Sequence, residues 1–122
     1  MNIEQLRTYC LSKKAATESF PFDADTLVFK VMNKMFALIP LENWERGEDT
    51  ISLKCDPDRS LDLRESYESI YMGAYIKNNH WNTVSLFTGE IKNDFLIELI
   101  DHSYDMVVKN LTKKLREELQ YL

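Results

Sequence analysis

The sequence predicts an α+β fold: a two-layer sandwich whose antiparallel β-sheet of about five strands carries an N-terminal helix and C-terminal helices. Three observations predict it. Apolar residues recur at helical spacing near the N-terminus and again after Asn93. Between them lie short β-rich runs, of which Ile51, Leu53 and Cys55 alternating with Ser52 and Lys54 is the clearest. Strands and helices come in runs without strict alternation, which argues against a parallel sheet.

Each element has its own signal. Asn2 is a good N-cap with Gln5 at the capping-box position, and Ile3, Leu6, Cys10 and Leu11 continue a helix expected to end near Lys13 and Lys14. Residues 17–26 read as a loop anchored by Phe20, Pro21 and Phe22. Residues 27–32 and 35–39 are β-rich, and Asn33 with Lys34 fits a tight hairpin turn, since asparagine tolerates positive φ. Lys30 lies between Phe29 and Val31 and so points to the opposite face. Residues 41–50 form a polar, acidic connection holding Trp44.

Asp56, Pro57 and Asp58 stop the Ile51 strand and start a short, mostly solvated helix with Leu61, Leu63 and Tyr67. Residues 70–76 and 81–87 read as strands flanking Lys77, Asn78, Asn79 and His80, a four-residue hairpin loop. Trp81, Thr83 and Ser85 share one face of the second strand; Asn82, Val84 and Leu86 share the other. Thr88 and Gly89 make the exit turn. Asn93 caps a helix carrying Phe95, Leu96, Leu99 and Ile100. Ser103 recaps a new helix with Tyr104, Val107, Val108 and Leu111 inward, and Thr112 caps the last, with Leu115 and Leu119.

Composition bounds the function. At 122 residues, 44% hydrophobic and 29% charged, the chain is expected to form one domain over residues 1–122. A chain this long buries roughly two-thirds of its unfolded surface and needs no disulfide or metal to hold a core. Cys10 and Cys55 each fall in apolar patterns and are expected as buried, reduced thiols. No window approaches the ~18 apolar residues of a membrane span, and the first five residues lack a basic and apolar leader. A cytoplasmic protein with no membrane partner is therefore expected. The net charge of −5 weighs against strong non-specific affinity for polyanions, most of all at Glu42, Glu45, Glu48 and Asp49.

No residue pattern points to catalysis. There is no Gly-x-Ser-x-Gly elbow, and Gly47, Gly73 and Gly89 stand alone. His80 and His102 are isolated from other ligand types. No enzyme activity, metal or cofactor is expected. For His80, Trp81 and Asn82 two readings stand. In one, Trp81 packs on the sheet while His80 and Asn82 tie the loop with hydrogen bonds. In the other, Lys77, Asn78, Asn79 and His80 form a polar tip that touches phosphate or base edges. Ser103 caps and Tyr104 packs with its hydroxyl at the edge, while Asp105 complements the helix dipole. Lys109, Lys113, Lys114 and Arg116 are the densest basic group, diluted by Asp105, Glu117 and Glu118. That group reads as a solvated face or as a phosphate-contacting patch.

Several stretches, in this order, resemble the MmcQ/YjbR family. They are Lys34-Met35-Phe36-Ala37, Cys55-Asp56-Pro57, Leu63-Arg64, residues 77–84 with their His80-Trp81-Asn82 core, Leu99-Ile100, and Ser103-Tyr104-Asp105-Met106-Val107-Val108. Leu111 with Lys113-Lys114 completes the set. The combination, spread over nearly the whole chain, carries the resemblance. It implies a fold of the CyaY/frataxin class and a bacterial, non-enzymatic DNA-binding protein. It also implies protruding hairpin wings at residues 77–80 and at Asn33-Lys34. The iron chemistry of frataxin is not implied, because the first helix offers only Glu4 and Glu18 against Arg7, Lys13 and Lys14.

The resulting expectation is weak, salt-dependent contact with double-stranded DNA through Lys30, Lys34, Lys77, Asn78, Asn79 and His80. Lys113, Lys114 and Arg116 join them if the helical tail folds to the same side. Trp81, Asn82, Ser103 and Tyr104 are the structural and family-motif residues. The alternative is a protein-interaction or small-ligand-binding module with an apolar pocket or exposed sheet face, marked by an exposed Trp44 or Trp81. A third reading, an enzyme, requires His80, Tyr104 and a carboxylate to converge in space.

Overall fold

One antiparallel sheet organises the molecule, with its strands in the order β1-β2-β3-β4-β6-β5. The structure, a computed structural model, describes residues 1–73 and 76–122. In chain order the elements are α1 (Ile3–Leu11), β1 (Ala16–Ser19), β2 (Thr26–Val31), β3 (Lys34–Pro40), α2 (Leu41–Glu45), β4 (Thr50–Lys54), α3 (Pro57–Ser66), β5 (Ile70–Met72), β6 (Trp81–Ser85), α4 (Asn93–Lys109) and α5 (Lys113–Gln120). The α+β two-layer arrangement is the expected one. Among the described residues no helix is long and apolar enough to cross a membrane.

The sheet has six strands where about five were expected. The extra one is β1, which lies within the stretch read as a loop and pairs Thr17 with Lys30 and Glu18 with Phe29. Its composition is that of a polar edge strand, so no apolar alternation marks it. Arg7 of α1 holds it in place, donating from Nε to Glu18 at 2.7 Å and from a second nitrogen to the other carboxylate oxygen.

Local signals fixed several boundaries. The Asn2–Gln5 capping box forms in both directions, at 2.8 and 3.0 Å. Asp56 caps α3 by accepting from the Arg59 N–H, with Pro57 in the first turn. Thr112 caps α5. Trp44, within the short α2, donates to the Thr50 carbonyl at 2.9 Å. The β2–β3 turn falls one residue earlier than expected. Val31 pairs with Lys34, so Met32 and Asn33 form the loop, with φ of 48° and 65°. Two positive φ values match the twist of the hairpin, and Asn33 supplies the one that asparagine tolerates.

A bulge then shapes the core. Phe29 pairs with Ala37 but Lys30 pairs with Met35, which leaves Phe36 as an extra residue on β3. Phe36 and Ala37 consequently both join the core beneath the helices, while Met35 packs with Val28, Leu38 and Trp81 on the other face. Phe36 is fully buried, against Phe29 and edge-on to Tyr104, with ring centroids 5.4 Å apart at 87°. The helix-side core unites Leu6 and Cys10 of α1, Ile51 of β4, Leu96 and Ile100 of α4, and Leu119 of α5. Both cysteines are buried free thiols, and burial pushes Cys10 up to about 12.

Ser103 does not start a new helix. It lies inside α4, which runs unbroken for 17 residues. Its hydroxyl donates to the Phe36 carbonyl at 2.5 Å and accepts from the Lys54 N–H at 2.8 Å. Beyond the β3–β4 pairs at Ala37 and Leu38, this side chain continues the bonding between the two strands. Nor does Asn93 cap α4. Lys92 takes that position without a side-chain bond, and Asn93 accepts from the Met1 ammonium.

The β5–β6 connection also departs from expectation. β5 ends at Met72, which pairs with Asn82, and Gly73 and Ile76 lie outside any strand, so the segment is not a four-residue loop. Ala74 and Tyr75, expected within that strand, lie outside the described residues.

Replacing Ser103 by alanine orphans a buried carbonyl and a part-buried N–H at once. Urea denaturation of Ser103→Ala is expected to show a loss of about 1–3 kcal/mol; stability equal to the unaltered protein would contradict the role assigned to this hydroxyl.

Candidate functional site

Strand register places a distinct set of residues on the face of the sheet away from α1 and α4. The central row reads Ser19, Val28, Leu38, Ser52, Thr83, Tyr71 across the strands. One step toward the β2–β3 turn, Thr17 pairs with Lys30, Lys30 with Met35, and Lys54 with Trp81. One step the other way lie Thr26 opposite Pro40 and Thr50 opposite Ser85. No aspartate or glutamate occupies any of these positions.

The face is hydroxyl-rich and internally bonded. Ser52 and Thr83 lie 3.2 Å apart across β4 and β6, and Tyr71 reaches Ser85 at 3.0 Å. Trp81 is 7% exposed and packs with Val28 and Leu38, as its structural reading anticipated. Ile76 packs on the same group, and Gly73 is buried beside it. A Cβ at Gly73 would stand 2.9 Å from the Ile76 carbonyl oxygen, so only glycine allows this approach. Phe22, 63% exposed, joins Asp23, Thr26, Met35, Leu38 and Ile76 around a cleft of about 350 Å³.

Lys77, Asn78, Asn79 and His80 are exposed, but they do not form a free wing. Arg64 of α3 draws the segment back. Its Nε donates to Asn82 Oδ1 at 2.7 Å, one terminal nitrogen to Asn79 Oδ1 at 3.0 Å, and the other to the carbonyls of Asn78 and Trp81 at 2.7 and 2.9 Å. Asn78 Oδ1 accepts from the His80 N–H, and the His80 carbonyl accepts from the Cys55 N–H, each at 2.8 Å. Asn82 thus ties the loop through its side chain, as anticipated, whereas His80 does so through its backbone. The second expected wing, at Asn33 and Lys34, is a tight turn flanked by β1 up to the Ala16–Val31 pair, and it does not project as an arm.

The cations differ in what holds them. Arg7 pairs with Glu18, Lys13 with Asp101, Arg46 with Glu42 and Glu48, and Arg59 with Glu98. Lys14 and Lys92 donate to backbone carbonyls. Among the described residues, the side chains of Lys30, Lys34, Lys54 and Lys77 make no ion pair or hydrogen bond, and neither do those of Lys109, Lys113, Lys114 and Arg116 on the helical side. Register brings Lys30, Lys34 and Lys54 to the turn end of the sheet, near Trp81. Lys54 was not singled out in the sequence, where it reads only as the outward residue of an alternating strand. Lys113, Lys114 and Arg116 are exposed on α5, whose Leu115 and Leu119 rest on the helix-side core. They belong to the opposite layer from Lys30 and Lys54 and do not extend that group.

The other candidates resolve structurally. Tyr104 packs on Phe36 and donates to the Lys14 carbonyl at 2.7 Å. It lies with α1 and does not share the loop at His80. Between sheet and helices, the space at Cys55, Asn82, Leu99 and His102 amounts to about 10 Å³, no larger than a water needs. Among the described residues no group of three or more His, Cys, Asp or Glu side chains is placed to hold a metal ion.

His102 Nε2 accepts from the Asp56 N–H at 3.1 Å, which puts the ring proton on Nδ1. Burial first, and the Arg59 charge second, lower its pKa from the ordinary 6.5, while Glu98, Asp56 and Asp105 oppose the shift.

The family model described as YjbR matches residues 11–106. The chain is 36% identical over 96 residues to the uncharacterized protein YbdF of Escherichia coli O157:H7, covering 78% of this chain and 75% of that one. Among solved structures it is similar to the Deinococcus radiodurans protein DR2400, with its DUF419 domain. The TM-score is 0.86 at 37% identity, covering 98% of this chain and 88% of that one. A Pseudomonas syringae protein gives a TM-score of 0.70 at 26% identity, covering 87% of this chain and 98% of that one.

The lowered His102 pKa has a signed consequence. Unfolding lets the ring bind a proton that the native state resists, so stability is fully present above 6.5 and declines as pH falls toward the native value. Chemical denaturation at several pH values between about 7 and 5 is expected to show this decline, and His102→Gln is expected to flatten it. An identical pH profile in the variant would contradict the assignment.

Proposed function

This chain belongs to the YjbR family, and we propose that within it the protein is a non-enzymatic DNA-binding protein that contacts the backbone of double-stranded DNA through the turn end of its sheet. One observation carries the reading. In a chain of net charge −5, no strand position on one sheet face is an aspartate or glutamate, and Lys30 and Lys54, neither in an ion pair, stand at one end of that face, with Lys34 at the adjoining turn. Lys30, Lys34, Lys54 and Lys77 supply the charge, while Asn78, Asn79 and His80 supply polar contacts from the neighbouring segment. Arg7, Lys13 and Arg59, by contrast, are held in ion pairs on the helical side.

Phosphate neutralisation with counterion release then supplies most of the affinity. A set of about four lysines makes binding weak and steeply salt-dependent, with log K falling by roughly 0.9 per phosphate contact for each decade of salt. The unpaired acids elsewhere repel the duplex and orient the lysine-bearing end toward it. The proposal excludes Lys113, Lys114 and Arg116 from the contact, because they sit on the other layer. A second reading draws on the cleft beneath Phe22, whose apolar floor of Met35, Leu38 and Ile76 suits a small apolar ligand or a partner side chain.

Titrating a labelled duplex at low and moderate salt separates the two readings. Binding is expected at low salt and is expected to weaken steeply as salt rises. Lys34→Ala combined with Lys77→Ala is expected to lower the salt slope by about two. Absence of binding at low salt, or binding unchanged in the double variant, would overturn the DNA reading.

A further inference from the structure

We propose that Arg64 is a positioning residue: it holds residues 78–82 against α3 so that Lys77 and His80 stand preformed at the turn end of the sheet. The ligand part of this inference rests on the DNA reading above; the clamp itself rests on geometry alone. The connection between Met72 and Trp81 is long for a β-hairpin, and its outer residues are exposed. A connection of that kind samples many conformations unless something ties it down. Arg64 makes four hydrogen bonds where it meets β6: two to the connection, at the Asn78 carbonyl and Asn79 Oδ1, and two to the start of β6, at the Trp81 carbonyl and Asn82 Oδ1.

Arginine is specifically suited to this. A guanidinium is a planar fork of donors that stays charged, so it satisfies several diverging carbonyls from one point. Lysine carries the same charge on a single nitrogen and cannot span the same set. The base of the fork is rigid. Arg64 lies in the last turn of α3, next to the buried Leu63, and the start of α3 is fixed by the Asp56 cap and Pro57. The far end is rigid as well. Asn82 is 2% exposed within β6, and its amide presents Oδ1 to Arg64 while its buried Nδ2 has no hydrogen-bond partner. The pairing with Arg64 therefore dictates how that amide faces. A surface arginine in an acidic protein would ordinarily find a carboxylate; this one spends its donors on the backbone and amides of one segment. A preformed segment meets a phosphate without the ordering loss that a free loop incurs on binding.

The test is charge-conserving. Arg64→Lys keeps the net charge, so any loss of affinity reports geometry and not attraction. Duplex affinity across a salt series, thermal melting, and amide hydrogen exchange at His80 and Cys55 are measured together. Affinity is expected to fall about fivefold, with a salt slope lower by about one. Exchange is expected to rise at His80 and Cys55 ahead of the rest of the sheet. Adding Lys77→Ala to Arg64→Lys is expected to cost little more. If Arg64→Lys fails to fold, Asn79→Ala removes one bond of the clamp and is expected to raise exchange at His80 and Cys55 ahead of the rest of the sheet; unchanged exchange there would overturn the clamp. Unchanged affinity and slope with exchange raised evenly across the fold would make Arg64 merely structural and overturn the positioning role. If the unaltered protein binds no duplex, the DNA reading fails separately, and unchanged exchange at His80 and Cys55 would then overturn the clamp.

Discussion

The extra residue at Phe36 is the constraint on which the rest of the architecture depends. It turns two consecutive side chains of β3 toward the helices and so gives the core its edge-on Phe36–Tyr104 contact. It also interrupts the regular alternation just where β3 meets β4. A buried carbonyl left without a partner there would cost about 1–3 kcal/mol, and α4 supplies the partner in the Ser103 hydroxyl. Helix, bulge and the end of β4 are therefore one unit. Tyr104, the next residue, seals the same point by packing on Phe36 and bonding to the α1–β1 connection.

The turn end of the sheet is accordingly stitched by side chains as well as by ladder bonds. Ser103 does this from the helical layer and Arg64 from α3, with the His80 carbonyl bonded to Cys55 between them. The opposite face carries the small Val28, Leu38 and Trp81 cluster and, beside it, charge. Lys30 and Lys54 stand on it without partners, although the molecule as a whole is acidic. Net charge constrains long-range attraction, but a short-range contact depends on where the unpaired charges sit. Intramolecular pairs on the helical side hold Arg7, Lys13 and Arg59. What is left over on the sheet face is basic.

Signals that are local in sequence were legible. The Asn2–Gln5 box, the Asp56-Pro57 start of α3 and the alternating Ile51 strand each depend on neighbours a few residues apart. Features set by distant partners were not. β1 is a strand because Lys30 and Phe29 lie beside it, not because Thr17 or Glu18 favours one. Ser103 carries a cap signal, yet its hydroxyl is drawn to a carbonyl on β3 and the helix continues through it. The free wing implied by residues 77–80 vanished for the same reason: Arg64 is far away in sequence. The lysine face is partly legible, since alternation places Lys30 outward. Only register shows that Lys54 joins it and that no strand position there is acidic.

The central claim is that the turn end of the sheet is the surface that meets DNA. Mapping backbone amide chemical shifts during titration with a short duplex at low salt tests it most directly. The account predicts progressive shifts at Lys30, Lys34, Lys54 and residues 77–81, with α5 unaffected. Shifts confined to Lys113, Lys114 and Arg116, or to the cleft beneath Phe22, or none at all, would contradict it.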